Sequence, residues 1–284
     1  MDIVPEPQWE RLLEKLIRHM GTSMLIGATD SGKSTLAKYL IKRLVSENIK
    51  VSLVDSDVGQ SSLGLPGAIS MKIFCGQKDV EDFRFERMIF IGSSNPAAKF
   101  HLMIHGTKRM VEISKKRSEV VIIDTTGLIS GGLGKALKIG KIKAVKPDHI
   151  IAVQRDDELE HILNLIENVS IHRIAASRMA KVRSREYRIR YRKKKFADYF
   201  AKTKISEFSL NTRDAEFFYN NKPFGLKDRD FEEGTIIGLN HNEDTMALGI
   251  ITEIADNSIT FRSPIRSLKG INRVVFGNIT MELE

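Results

Sequence analysis

Gly27, Gly32, Lys33 and Ser34 stand in the spacing G-x-x-x-x-G-K-[ST] within "GATDSGKS", a pattern whose chemistry is the holding of phosphate. The glycines let backbone N–H groups turn inward around phosphoryl oxygens, and the helix that follows points its positive end at them. Gly27, Thr29, Asp30, Ser31, Gly32, Lys33, Ser34 and Thr35 are therefore the expected nucleotide-binding residues. In this arrangement Lys33 reaches the β and γ phosphates, and the Ser34 hydroxyl ligates Mg²⁺.

Carboxylates follow at two later points. In "VSLVDSDVGQSS", Asp55 and Asp57 lie two apart on an extended segment, so they point the same way and can serve one site. In "VVIIDTTGLISGG", Asp124 ends an apolar run, and Thr125 and Gly127 begin a glycine-rich loop. Ser34, Asp55, Asp57 and Asp124 make up the expected metal side.

A third group is "KVRSREYRIRYRKKKFADYF", residues 181–200. On a helix, Arg185, Arg188 and Arg192 share one face, and Tyr187 and Tyr191 lie four apart on a neighbouring one. The run is almost purely positive, with only Glu186 against it near its start, so it repels itself unless anions sit nearby. Beside a triphosphate, such an element has two uses: clamping the transferring phosphoryl group, and holding a nucleic-acid backbone. The seven histidines and Cys75 form no zinc-ligand spacing, and there is no G-x-S-x-G nucleophile elbow.

The elements that must position these groups are legible in the hydrophobic pattern. "PQWERLLEKLIRH" spaces Trp9, Leu12, Leu13, Leu16 and Ile17 at helical intervals and predicts an amphipathic entry helix. "MLIG" is a buried strand, the stretch from Lys33 carries Leu36, Leu40, Ile41 and Leu44 at helical spacing, and "VSLVD" is the next strand. Parallel strands are expected at 88–92 and 120–124 with a helix between them, and another at "HIIAVQ" followed by a helix at "ELEHILNLIE". This alternation predicts an α/β three-layer P-loop domain with a mainly parallel sheet. From about residue 205 the short β-rich runs with Gly, Asn and Asp at the turns predict a small, mostly β C-terminal domain. The expected division is an N-terminal helix over 1–20, a P-loop domain over 21–204 that includes the arginine element, and the β-rich domain over 205–284.

Composition narrows the class. At 284 residues, with 42% hydrophobic and 29% charged content, the chain can bury a full core and shows no sign of disorder. The formal charge of +9 points to an anionic partner such as nucleic acid. A single cysteine fits a reducing interior, so a cytoplasmic or nuclear location is expected. No segment has eighteen uninterrupted apolar residues, and the first twenty lack the apolar core of a signal peptide.

Taken in order, "GATDSGKST", "DSDVGQSSLGLPGAIS", "DTTGLISGGLGKALK" and "RSREYRIRYRKKKFADYF" resemble the polynucleotide 5′-hydroxyl kinases. That family includes the RNA kinase subunit of eukaryotic mRNA 3′-end cleavage and tRNA splicing complexes, the pre-ribosomal RNA processing kinase, and shorter prokaryotic relatives. The resemblance runs from about residue 22 to 200 and extends to the β-rich tail. It implies ATP and Mg²⁺ on Lys33 and Ser34, with Asp57 orienting and deprotonating a 5′-hydroxyl of RNA or DNA. Asp55 and Gln60 would complete the metal and water shell. Arg183, Arg188 and Arg192 match the family's lid, the middle one nearest the transferring phosphoryl group, and Thr125, Thr126 and Gly127 match its acceptor-side clasp. With Arg185, the residues Gln60, Thr126, Gly127, Arg183, Arg188 and Arg192 are the expected nucleic-acid contacts. Leu128 stands where eukaryotic members carry Trp, and the twenty residues before the cradle do not supply their N-terminal β-domain, which implies a compact stand-alone kinase. Nuclease or ligase partners, the choice between RNA and DNA, and oligomeric state leave no motif. The rival readings are an RNA-binding factor that uses ATP only as a switch, and a small-metabolite kinase, which has no need of an arginine-rich helix.

Overall fold

Leu25 turns to one side of its strand and Met24 and Ile26 to the other, and this alternation builds the α/β half of the computed structural model. The structure describes residues 3–177, 179–201, 205–228 and 230–282; the expected boundary at residue 204 lies outside them. The elements run α1 (Pro7–Arg18), β1 (Thr22–Gly27), α2 (Lys33–Ser46), β2 (Val51–Ser56), β3 (Ala68–Phe74), α3 (Gln77–Glu81), β4 (Arg87–Phe90), α4 (Phe100–Lys115), β5 (Val120–Thr125), α5 (Gly131–Val145), β6 (His149–Gln154), α6 (Glu160–Leu163), β7 (Ser170–Ala175) and α7 (Arg185–Ala201). Strands β2, β5, β1, β6 and β7 are parallel neighbours in that order.

Each of the inner parallel strands feeds two cores. Leu25, Ile122, Ile151 and Val153 meet Trp9, Leu12, Leu16, Leu36 and Leu40 on the face covered by α1 and α2. Met24, Ile26, Ile123 and Ile150 meet Met103, Met110, Leu137 and Ile142 on the face covered by α4 and α5. Helices on both faces of a parallel sheet are the expected three layers. Full burial of each such side chain contributes about 1.5–3 kcal/mol, which fixes the strand ends that carry the polar residues.

Two expectations fail here, and one strand is unannounced. The segment at 88–92 is not a parallel strand: β4 runs antiparallel to β3, and β3 antiparallel to β2. Between β3 and β4 lies only the five-residue α3, too little for a crossover over the sheet face. The helix at "ELEHILNLIE" shrinks to α6, four residues long, because the chain turns at Asn168, with φ +57°, to enter β7. Strand β7, with polar His172 and Arg173, is a half-buried edge that the apolar pattern does not announce.

The β-rich region comprises β8 (Ser206–Asn211), β9 (Glu216–Tyr219), β10 (Lys222–Pro223), β11 (Thr235–His241), β12 (Asp244–Ala255), β13 (Ser258–Ser263) and β14 (Arg273–Thr280). Asn220 and Asn221, both at positive φ, turn β9 into β10, and Asn242 turns β11 into β12. Strand β12 pairs with β4 at Thr245 and Met88, so this region continues the α/β sheet edge to edge. Phe196 and Phe200 of α7 pack with Met88, Phe90, Leu248 and Ile250 at that seam. The other end of α7 starts at Ser184, whose Oγ accepts from Tyr187 N at 3.1 Å, and reaches over the carboxyl ends of the parallel strands. No helix among the described residues is long and apolar enough to cross a membrane.

Candidate nucleotide and acceptor site

The loop between β1 and α2 closes tightly because its glycines have no side chain to place. A Cβ on Gly27 would stand 2.4 Å from Val153 O, and Gly32 adopts φ +95° as it opens α2. Asp30 takes φ +58°, which an aspartate tolerates in a turn. Lys33 Nζ donates to Ala28 O at 2.7 Å, across the loop. Burial holds its ammonium below the ordinary lysine range, opposed by the carboxylates of Asp124, Asp57 and Asp30. Thr29, Asp30, Ser31, Gly32, Ser34 and Thr35 line one cleft with Lys33, as expected.

Asp124 comes in from the end of β5. Ser34 Oγ donates to Asp124 Oδ2 at 2.5 Å, while Asp124 Oδ1 is buried without a partner among the described residues. Burial first, and the neighbouring Asp55 second, push its carboxyl up to about 7. A hydroxyl and a carboxylate oxygen beside a phosphate cradle are the hard donors Mg²⁺ takes, together with water and phosphate. The orphaned Oδ1 fits such an ion.

Asp55 is placed differently from its expected role. It is fully buried, and both oxygens are taken by the loop after β2. Asp57 N donates to Oδ1 at 3.0 Å, and Ser62 N, Leu63 N and Ser61 Oγ donate to Oδ2 at 2.7, 2.9 and 2.9 Å. Asp55 thus holds the loop that carries Asp57 and Gln60 and has little left for a metal. Asp57 and Gln60 do line the cleft. Asp57 Oδ1 accepts from Gly59 N and Gln60 N, both at 3.0 Å, which locks its side chain in place.

The expected clasp divides in the same way. Thr125 is buried and turned into the sheet, donating to Leu25 O at 2.7 Å and accepting from Lys138 Nζ at 2.9 Å. Thr126 is also buried on Lys138 Nζ, which binds its carbonyl and lies 3.3 Å from its hydroxyl. Neither hydroxyl faces the cleft. Gly127 does line it, packed so closely on the cradle that a Cβ would meet Thr29 N at 2.5 Å. Leu128 packs against the core below.

From the lid side, Arg188 Nη2 donates to Asp30 Oδ2 at 2.7 Å, and Arg183 N donates to the same oxygen at 3.0 Å. Arg183 Nη1 donates to Gln60 Oε1 at 3.2 Å. Arg188 Nε and Gln60 Nε2 are buried without partners among the described residues. Arg192 lies beside Arg188, and burial lowers its pKa. Arg185 does not join them: it stands exposed at the first residue of α7. With the arginines drawn down on Asp30, the cleft is about 110 Å³, against the roughly 300–1,000 Å³ of ligand pockets in general.

Three contributors escape a reading of motifs alone. Arg155, just past β6, donates from Nη2 to Asp30 O at 3.0 Å. Lys138 and Lys141 on α5 are fully buried, and Lys141 Nζ binds the Ser56 hydroxyl; burial pushes Lys141 down to about 7 and Lys138 far below its ordinary range. Their signal was available: lysines interleaved with Leu137 and Ile142 at core-facing spacing on one helix.

A family model described as the mRNA cleavage and polyadenylation factor CLP1 P-loop matches residues 27–202. The chain belongs to the CLP1 P-loop family. Among curated relatives, the polyribonucleotide 5′-hydroxyl-kinase of Pyrococcus horikoshii is 38% identical over 188 residues, covering 65% of this chain and 51% of that protein. That of Methanocaldococcus jannaschii is 39% identical over 179 residues, covering 62% and 49%. The chain spans about half the length of the curated relatives it matches. The solved structure of a wild-type Clp1p–Pcf11p complex superposes with a TM-score of 0.74 at 12% identity, over 96% of this chain and 78% of that one. The likeness in fold to that chain thus extends through the β-rich region.

Proposed function

We propose that this CLP1 P-loop protein is a polynucleotide 5′-hydroxyl kinase that transfers the γ-phosphoryl of ATP to the 5′-hydroxyl end of RNA or DNA. The observation that carries this reading is the convergence of three kinds of group on one cleft: the cradle with Lys33, the immobilised carboxylate of Asp57, and the lid arginines Arg183 and Arg188. A cradle alone serves any nucleotide switch; a fixed carboxylate facing a guanidinium across it serves group transfer. The names of the archaeal relatives support the same activity.

In this reading Lys33 and the loop amides hold the β and γ phosphates. Asp57 accepts the proton of the 5′-hydroxyl as its oxygen bonds to the γ phosphorus, and the bond from that phosphorus to the ADP oxygen breaks. Arg188 leaves Asp30 to neutralise the transferring oxygens, with Arg192 behind it. Ser34 and Asp124 would hold Mg²⁺, which when bound offsets charge on the phosphates. Asp55, Lys138 and Lys141 position the loops instead of touching substrate. Residues 21–204 act as the kinase domain, and residues 205–284 buttress the seam on which α7 is seated.

The test is incubation of the protein with γ-labelled ATP, Mg²⁺ and oligonucleotides ending in 5′-hydroxyl, with 5′-phosphorylated oligonucleotides and Lys33→Ala as controls. Label on hydroxyl ends alone, dependent on Lys33, is the expected result. Oligonucleotide-stimulated ATP hydrolysis without label transfer would replace the kinase with a nucleotide switch.

A further inference from the structure

Tyr187, Tyr191 and Lys195 recur every fourth residue along the start of α7, and Arg183, two residues before the helix, continues their line as one stripe. The stripe is ordered cation, ring, ring, cation. The Arg183 guanidinium lies 5.5 Å from the Tyr187 ring centroid, and Lys195 Nζ lies 5.6 Å from that of Tyr191. Between them the two rings are 6.4 Å apart and within 17° of parallel. The stripe is seated along the acceptor loop: Arg183 on Gln60, Tyr191 OH on Ser61 O at 2.8 Å, and Lys195 Nζ on Gly64 O at 3.4 Å.

The two rings differ in what they leave open. Tyr191 is committed to the loop, and burial pushes its hydroxyl up to about 12. Tyr187 is 43% exposed, and it is the one phenylalanine, tyrosine or tryptophan ring in the exposed class among the described residues. A part-exposed ring backed by Tyr191, with a mobile-ended guanidinium over it that a base can displace, and placed beside the loop that carries Asp57, has the composition of a base-stacking platform. Beyond Gly127, Leu128 is partly buried against the core and offers no aromatic plane.

We propose that Tyr187 stacks the terminal base of a single-stranded polynucleotide and so places its 5′ end at Asp57, with Arg183 at the rim holding an adjacent phosphate. This deepens the kinase reading and rests on it for the identity of the acceptor. Stacking recognises the face of a base, so the site accepts all four bases.

The experiment measures equilibrium binding, by fluorescence anisotropy, of two 3′-labelled oligonucleotides with 5′-hydroxyl ends, one with a normal terminal nucleotide and one whose terminal nucleotide is abasic. The parent is expected to bind the first roughly 5- to 150-fold tighter. Tyr187→Ala should bind the two alike, and Tyr187→Phe should keep the preference. Equal binding of both by the parent, or an undiminished preference in Tyr187→Ala, overturns the platform. Label transfer is followed in parallel on both oligonucleotides. A Tyr187-dependent preference without any transfer leaves the platform standing and removes the kinase. Transfer with the same KM for both ends does the reverse.

Discussion

Arg188 Nη2 sits 2.7 Å from Asp30 Oδ2, so the tip of the phosphate cradle holds the guanidinium of the lid. Both side chains are largely withdrawn from water, and the same Asp30 oxygen also accepts from Arg183 N. On the kinase reading, an incoming γ phosphate would exchange places with a carboxylate. On the same reading, Asp30 stands in for the phosphate anion and holds the lid arginine over the narrow cleft.

Asp30→Asn removes that competitor and the like charge facing the phosphates. Nucleotide affinity should rise several-fold, about 1 kcal/mol as for an ion pair that solvent reaches at its guanidinium. Titration with a fluorescent ATP analogue decides it, and weaker binding would show that Asp30 builds the cradle rather than guarding it.

On the kinase reading, Arg188→Ala takes the charge from the transferring phosphoryl group while leaving the cradle intact. Single-turnover transfer should slow by roughly 10³ to 10⁵, with nucleotide affinity changed far less. A parent-like rate constant would remove Arg188 from the chemistry.

Gly127→Ala places a methyl group 2.5 Å from the backbone of Thr29, where only main chain can yield. Displacing the cradle should cost about 1–3 kcal/mol, seen as nucleotide affinity at least tenfold weaker and a melting temperature lower by a few degrees. Unchanged nucleotide binding would mean that the glycine loop moves freely over the cradle.

His172 supplies a test far from the site. Its Nε2 lies 3.2 Å from His149 Nδ1, and His149 Nε2 lies 2.7 Å from His19 O. Burial first, then His149 and Lys15, lower the His172 pKa from 6.5 to about 4. The folded state therefore binds fewer protons than the unfolded chain between these values. The stabilisation is present above pH 6.5 and is lost as the pH falls toward 4. His172→Gln should flatten that acid limb by on the order of 1–2 kcal/mol, allowing for solvent at the half-buried ring. Denaturant midpoints at pH 7 and pH 4.5 measure it, and parallel losses in parent and variant would exclude His172.

Local signals were sufficient wherever a residue's role is set by its neighbours along the chain. The cradle, its strand and its helix share one short stretch, so Gly27 to Thr35 could be read directly, as could the entry helix and the asparagine turns of the β-rich region. Helix α7 was legible for its charge, although its first arginine, Arg185, proved exposed. The antiparallel β3 and β4 were not legible, because a short buried apolar run looks alike in either direction and the connection between strands decides.

What the sequence by itself determined is the chemical inventory: a phosphate loop, carboxylates at two strand ends and an arginine helix, each recognisable because its function depends on spacing within a few residues. Which of those groups face the cleft was decided only by tertiary packing. Asp55 and Asp57 are two residues apart, yet one is consumed by the need of four loop residues, Asp57, Ser61, Ser62 and Leu63, for an acceptor, and the other is left at the cleft. Thr125 and Thr126 turn inward because Lys138, fully buried on another element, must have oxygens to donate to. A buried polar atom takes the partner that folding brings within reach, and that partner comes from a distant part of the chain.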